Sequence, residues 1–162
     1  MPKQNAILTA AIKPSKNEAM GSQMYHQLNM SGKCNVEVPL KILLVDDEKE
    51  FVQTLSERLQ MRDMGTAVVY DGNSALDQVQ RDEPEVMIID LKMPGLDGME
   101  LLKRVKHTHP QIQVIVVTGH GSEQDKKKCM DLGAFSYMQK PVDIDLLSES
   151  LKKAYKKNKA FK

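Results

Sequence analysis

From Leu40 onward, short apolar runs alternate with stretches whose apolar positions recur every three or four residues, the mark of strands alternating with amphipathic helices. Lys41-Ile42-Leu43-Leu44-Val45 is apolar on both faces, as a strand is in a parallel sheet covered on each side. Residues 50–62 follow, with Phe51, Leu55 and Leu59 four apart on one helical face. The alternation then predicts strands over 66–70, 86–89, 114–117 and 135–138, and helices over 73–81, 98–107, 122–132 and 144–157. Leu76, Val79, Leu101, Leu102 and Val105 take the inward positions of the second and third helices, and Met87 and Met138 read as core on their strands. Gly133 stands where a helix C-cap belongs. Five strands alternating with five helices predict an open, doubly wound α/β sheet, because a (β/α)8 barrel needs roughly 200 residues or more.

Charge divides the chain in a way the net value of +1 conceals. Residues 1–39 carry +2, residues 40–149 carry −7, and residues 150–162 carry six lysines and no acid. The first 39 residues are rich in Asn, Gln, Ser, Lys and Met and show no periodic apolar face, which predicts a largely disordered extension. The folded domain is expected over 40–157, with a basic tail over 158–162. Two cysteines, Cys34 and Cys129, form neither a metal-binding spacing nor a disulfide framework, and no secretory signal opens the chain, so a reduced, cytoplasmic setting is the expectation. No apolar run approaches the roughly 18–20 residues that span a bilayer. His107 and His109 are two apart and do not share a helical face, which argues against a zinc pair.

The chemistry gathers where the strands end. The first strand runs into Asp46-Asp47, the third into Asp90, the fourth into Thr118 and the fifth into Lys140-Pro141. In a parallel sheet those ends share one edge, where ligands bind at the topological switch point. Three carboxylates, a hydroxyl and an ammonium therefore converge. Like charges so close require a cation, and hard oxygen donors suit Mg²⁺ or Mn²⁺. Taken singly, each residue has a plainer explanation: Asp46-Asp47-Glu48 as helix-capping acids, Asp90 and Thr118 as turn formers, Lys140 as a solvated lysine. The coincidence of four strand ends outweighs these, the second strand alone ending in an ordinary Tyr70-Asp71-Gly72 turn.

These residues resemble the receiver domain of two-component response regulators (CheY-like) over about two-thirds of the chain, residues 41–147. The likeness lies in Leu43-Leu44-Val45-Asp46-Asp47-Glu48, in Ile88-Ile89-Asp90-Leu91-Lys92-Met93-Pro94-Gly95-Leu96-Asp97-Gly98, in Val117-Thr118-Gly119-His120-Gly121 and in Gly133-Ala134-Phe135-Ser136-Tyr137-Met138-Gln139-Lys140-Pro141. The resemblance implies a flavodoxin-like sheet of order 2-1-3-4-5, Asp90 as phosphoacceptor, and a sensor histidine kinase or histidine phosphotransfer protein as donor. It implies Mg²⁺ held by Asp47, Asp90 and the backbone carbonyl of Lys92, with Asp46 acting mainly through water. It implies a phosphoryl oxygen bonded by Thr118 and paired with Lys140, Tyr137 turning inward behind Thr118, and a cis bond between Lys140 and Pro141. Lys92 and His120, two residues beyond the acceptor and the threonine, would flank the path of hydrolytic water and set the phosphoryl lifetime.

The expected protein is a phosphoacceptor that assists its own phosphorylation and dephosphorylation, not a turnover enzyme. It would signal through an unknown effector protein by a switch near the fourth helix, fifth strand and fifth helix, as a monomer or a phosphorylation-linked dimer. An output-less phosphorelay intermediate is the alternative. Lys126-Lys127-Lys128 lies on that switch face, where a solvated role is the simpler reading. A haloacid-dehalogenase-type phosphatase would need a second carboxylate where Lys92 stands. No DNA-binding segment and no membrane partner is expected, since only about a dozen residues follow Leu151.

Overall fold

The computed structural model describes residues 40–161. The elements run β1 (Lys41–Val45), α1 (Lys49–Gln60), β2 (Gly65–Val69), α2 (Gly72–Arg81), β3 (Val86–Ile89), α3 (Gly98–Thr108), β4 (Gln113–Thr118), α4 (Glu123–Asp131), β5 (Ser136–Gln139) and α5 (Ile144–Ala160). The five strands form one parallel sheet in the order β2-β1-β3-β4-β5, as expected from the sequence. The expectations for residues 1–39 lie outside the described residues.

Alternation along each strand divides the interior into two layers. Leu43 and Val45 of β1, Met87 and Ile89 of β3, and Val114 and Val116 of β4 pack against Val79 of α2, Leu101, Leu102 and Val105 of α3, and Cys129 of α4. Their neighbours Ile42, Leu44, Ile88, Ile115 and Val117 face the other way, onto Val52, Leu55 and Leu59 of α1 and Leu147, Leu151 and Ala154 of α5. Because consecutive strand residues point to opposite faces, a strand covered on both sides has to be apolar throughout, and this is why β1, β3 and β4 read as unbroken apolar runs. Phe51 and Met138 sit at the margin of the second layer, partly buried, and Leu76 at the margin of the first.

Helix starts are capped by acids and a serine: Asp71 for α2, Asp97 for α3, Ser122 for α4 in a capping box with Asp125, and Asp143 for α5. Gly133 follows the α4 C-cap Leu132 with φ +98°, a left-handed conformation that suits glycine. Helix α5 runs to Ala160, three residues past the Lys157 boundary expected from the sequence. Its last turn is fastened by polar contacts that leave no apolar periodicity: Asn158 is buried and its Nδ2 donates to the Gln111 carbonyl at 2.9 Å, and Lys159 pairs with Glu85 at 2.7 Å. Cys129 is a free, buried thiol whose pKa burial pushes up to about 11, so it is inert as a nucleophile.

Helix α3 starts hard against the end of β3. Gly98, its first residue, donates its N–H to the Leu91 carbonyl at 2.9 Å, and a Cβ there would collide with the Asp90 carbonyl and come within 2.7 Å of the Leu91 Cα. Both obstacles are backbone, which cannot rotate away. Gly98→Ala is therefore expected to cost about 1–3 kcal/mol of stability through overpacking, read as a lower urea midpoint at unchanged m-value.

Candidate functional site: a carboxylate–lysine pocket at the sheet edge

The register assembles the site. Val45 pairs with Ile89, so the next residue of each strand, Asp46 and Asp90, emerges side by side, and the Asp90 N–H donates to the Val45 carbonyl at 3.0 Å. Thr118 pairs with Gln139, and the Lys140 N–H donates to the Thr118 carbonyl at 3.0 Å, which sets the lysine one step beyond β5 at the same edge. The Lys140-Pro141 peptide is cis. Lys140 Nζ lies 2.7 Å from Asp46 Oδ2, 2.9 Å from Glu48 Oε1 and 3.6 Å from Asp90 Oδ2, and 4.2 Å from the centre of the Phe51 ring.

Asp46, Asp90 and Thr118 are buried. Asp90 is 2% exposed, and its Oδ1 has no hydrogen-bond partner among the described residues. A buried carboxylate oxygen without a donor is costly, and the cost is relieved by a ligand that brings positive charge or donors to it. Burial raises the Asp46 pKa against the opposing hydrogen bond from Lys140. For Lys140, burial alone favours the neutral form, but the hydrogen bonds to Asp46 and Glu48 prevail and hold its pKa above the ordinary lysine value. The ammonium is thus fixed in the pocket at neutral pH. Glu48 is held below the usual carboxylate range, first by its hydrogen bond with Lys140 and more weakly by the charge of His120.

The structure joins Asp46, Asp90 and Glu48 around Lys140 and sets Thr118 beside them at the end of β4. Carboxylate oxygens of Asp46, Glu48 and Asp90 lie within 4.8 Å of one another, a donor set of the hard-oxygen kind that suits Mg²⁺. Asp47 is exposed and lies outside that cluster. Glu48 occupies the N-cap position of α1 without making a side-chain cap bond, because its carboxylate is engaged by Lys140. The Glu48 N–H is satisfied instead by Asp46 Oδ1 at 2.9 Å. Helix capping therefore does not account for these acids. Lys92 and His120 are both exposed at the rim. Asp125 has its pKa lowered mainly by Ser122, with weaker contributions from Lys128 and Lys92, which places the Lys92 charge toward the start of α4.

Behind Thr118, the Tyr137 hydroxyl is buried and has no hydrogen-bond partner among the described residues. It fills a notch left by Gly121, where a Cβ would collide with the hydroxyl, lie 2.7 Å from the ring Cζ and 3.0 Å from Thr118 Cγ2. Burial raises the Tyr137 pKa. In the sequence, Glu48 and Gly121 stand inside motifs with no role of their own at the pocket: their parts depend on which strand ends are neighbours.

A doubly wound parallel sheet with acids, a threonine and a lysine on its carboxyl edge defines a class of signalling domain, and similarity to known proteins specifies it. The family described as "Response regulator receiver domain" matches residues 42–152. The chain belongs to this family. It is 36% identical over 113 residues to sporulation initiation phosphotransferase F of Bacillus subtilis, covering 70% of this chain and 91% of that protein. It is 41% identical over 103 residues to the transcriptional regulatory protein CpxR of Escherichia coli, covering 64% of this chain but 44% of that protein. Against the DNA-binding transcriptional regulator NtrC of Klebsiella pneumoniae the matched span is 22% of that relative's length. Among solved structures, a response regulator receiver domain protein from Clostridium thermocellum superposes with a TM-score of 0.71 at 31% identity, covering 75% of this chain and 98% of that one. Receiver domains are phosphoacceptor signalling domains of two-component systems; they interact with histidine kinases and bind Mg²⁺ through acidic residues. No helix among the described residues is long and apolar enough to cross a membrane.

The Gly121 notch yields a direct test. No positive φ accompanies Gly121, so alanine is compatible with its backbone and acts only through the collision. Gly121→Ala is expected to drive the Tyr137 ring outward, seen as faster nitration of Tyr137 by tetranitromethane, located by mass spectrometry, in an otherwise folded protein.

Proposed function

We propose that Asp90 accepts a phosphoryl group from the phosphohistidine of a sensor histidine kinase or histidine phosphotransfer protein, and that the phosphorylated domain signals by binding an effector protein. The single observation that carries this reading is the buried, unpartnered Asp90 Oδ1 beside an ammonium that lies 3.6 Å from Oδ2. In the reaction, an Asp90 oxygen forms the bond to phosphorus as the phosphorus–nitrogen bond to the donor imidazole breaks. The imidazole keeps that electron pair and the transferred group carries its negative oxygens into the pocket. Lys140 would pair with one of those oxygens, and the Thr118 hydroxyl would donate to another. Asp46 and Asp90 of the carboxylate cluster, joined by Asp47 from outside it and by the Lys92 carbonyl, would hold Mg²⁺ or Mn²⁺, which when bound neutralises charge on the acceptor and on the incoming group.

Tyr137, packed against Thr118 across the Gly121 notch, is suited to report a movement of that threonine to the face formed by α4, β5 and α5, where the partner would dock. The domain acts as a phosphoacceptor that assists its own phosphorylation and dephosphorylation, in the cytoplasm, as a monomer or a phosphorylation-linked dimer. A second reading, an output-less relay that passes the group to a histidine phosphotransfer protein, is favoured by the match across 91% of the sporulation phosphotransferase. Phosphotransfer profiling against histidine phosphotransfer proteins separates the two.

With Mg²⁺ and acetyl phosphate, the wild type is expected to gain one phosphoryl group on Asp90, Asp90→Asn none, and Asp47→Ala far less. Mg²⁺ should raise the melting temperature of the wild type and leave Asp90→Asn nearly unmoved; undiminished labelling of Asp90→Asn removes the assignment.

Lys92 and His120 are both exposed, one following Asp90 by two residues and the other following Thr118 by two. Both would obstruct water on its way to the aspartyl phosphate. Replacing either by alanine is expected to shorten the phosphoprotein half-life severalfold, a barrier change of about 1 kcal/mol. Decay of isolated phosphoprotein at equal rates in all three forms would free both residues of that role.

A further inference from the structure

We propose that Glu48 is a competing anchor for Lys140, holding the ammonium away from Asp90 in the resting pocket, and that it thereby limits how readily the pocket takes up a phosphoryl group. The inference rests on Asp90 being the phosphoacceptor. An ammonium has three protons. In the resting pocket Asp46 Oδ2 takes one at 2.7 Å and Glu48 Oε1 another at 2.9 Å, while Asp90 Oδ2 at 3.6 Å lies beyond hydrogen-bond range. The group that must neutralise the arriving phosphoryl oxygens is therefore committed to the opposite wall.

Of the two acids that hold it, Asp46 is confined, its side chain 6% exposed, whereas the Glu48 side chain is 56% exposed on the rim. Glu48 is thus the partner able to swing away. Two further features show that the contact is selected over the alternatives open to Glu48. As the N-cap residue of α1 it stands where a carboxylate could cap the free N–H groups of the helix start, yet it makes no such bond. The same helix start supplies Phe51, whose ring lies 4.2 Å from Lys140 Nζ, so α1 draws the ammonium toward itself by an ion pair and by a ring face together. Independently, Asp90 receives no hydrogen bond from Lys140 at Oδ2, 3.6 Å away, and has no partner at Oδ1 among the described residues, so the carboxylate is under-served while the ammonium is held by Asp46 and Glu48. Phosphorylation would transfer the ammonium from Glu48 to the phosphoryl group, and the freed carboxylate would turn outward to solvent near His120.

The test compares initial rates of labelling by acetyl phosphate, at saturating Mg²⁺ so that altered metal affinity does not enter, for the wild type, Glu48→Gln, Lys140→Ala and the double variant. Glu48→Gln is expected to label about fivefold faster than the wild type, equivalent to about 1 kcal/mol, and to make no difference in the Lys140→Ala background. Beryllofluoride affinity, which requires no bond breaking, gives the same four-way comparison if labelling without Lys140 is too slow to time. A Glu48→Gln rate equal to or below wild type overturns the proposal. An equal acceleration with and without Lys140 also overturns it, since Glu48 would then act only by general repulsion of the anionic donor. Labelling of Asp90→Asn, by contrast, would refute the phosphoacceptor reading itself, whatever Glu48 does.

Discussion

Two carboxylates buried at neighbouring strand ends, with one ammonium between them, are the condition to which the rest of the site answers. Asp46 and Asp90 are adjacent because β1 and β3 pair in parallel register, and no side-chain adjustment can separate residues whose backbones are hydrogen-bonded into one sheet. The low-dielectric edge makes their mutual repulsion expensive. Lys140 relieves it from the far side of β4, by way of a strand end that itself hydrogen-bonds to Thr118. The pocket is therefore short of positive charge by construction, and an unsatisfied oxygen on Asp90 is the visible residue of that shortfall. Chemistry that delivers a cation and then an electrophilic phosphorus is chemistry this edge favours.

Much of this could be read from the residues alone. The two-faced apolar runs of β1, β3 and β4 announce a sheet covered on both sides, and the acids, threonine and lysine immediately after those runs announce a common edge. The boundaries shifted by a residue or two where a polar residue opens or closes an element: Gln113 and Thr118 belong to β4 although the apolar run is Val114 to Val117. The end of α5 was hidden because Asn158 and Lys159 hold it by a carbonyl and a carboxylate, which leave no periodic trace. Glu48 was hidden for another reason. Its partner is 92 residues away, and in the sequence a third acid before a helix looks like a cap. Gly121 was hidden because a missing side chain has meaning only once the side chain that fills the space is known.

The relatives divide along a line that the domain itself does not draw. One is matched across nearly its whole length, others across less than half, and the matched portion is in each case a receiver. The same kind of domain thus fills nearly all of one relative and a minor part of others. On this chain α4 presents Lys126, Lys127 and Lys128, all exposed, beside a largely acidic domain.

The contact between Gly98 and the Asp90 carbonyl bears on the direction in which a signal can leave. Helix α3 begins so close to the Asp90 backbone that β3 has no room to yield, and the Gly98 N–H ties the two together. The Asp90 backbone is in effect an anvil. Any displacement caused by a new charge at Asp90 must be taken up by the softer side of the pocket, where Thr118 leads into a loop with two exposed residues, Gly119 and His120, and a tyrosine held by shape alone. A rigid floor beneath one strand end makes the neighbouring loop the route of least mechanical resistance, and so gives a symmetrical-looking sheet edge a single outlet.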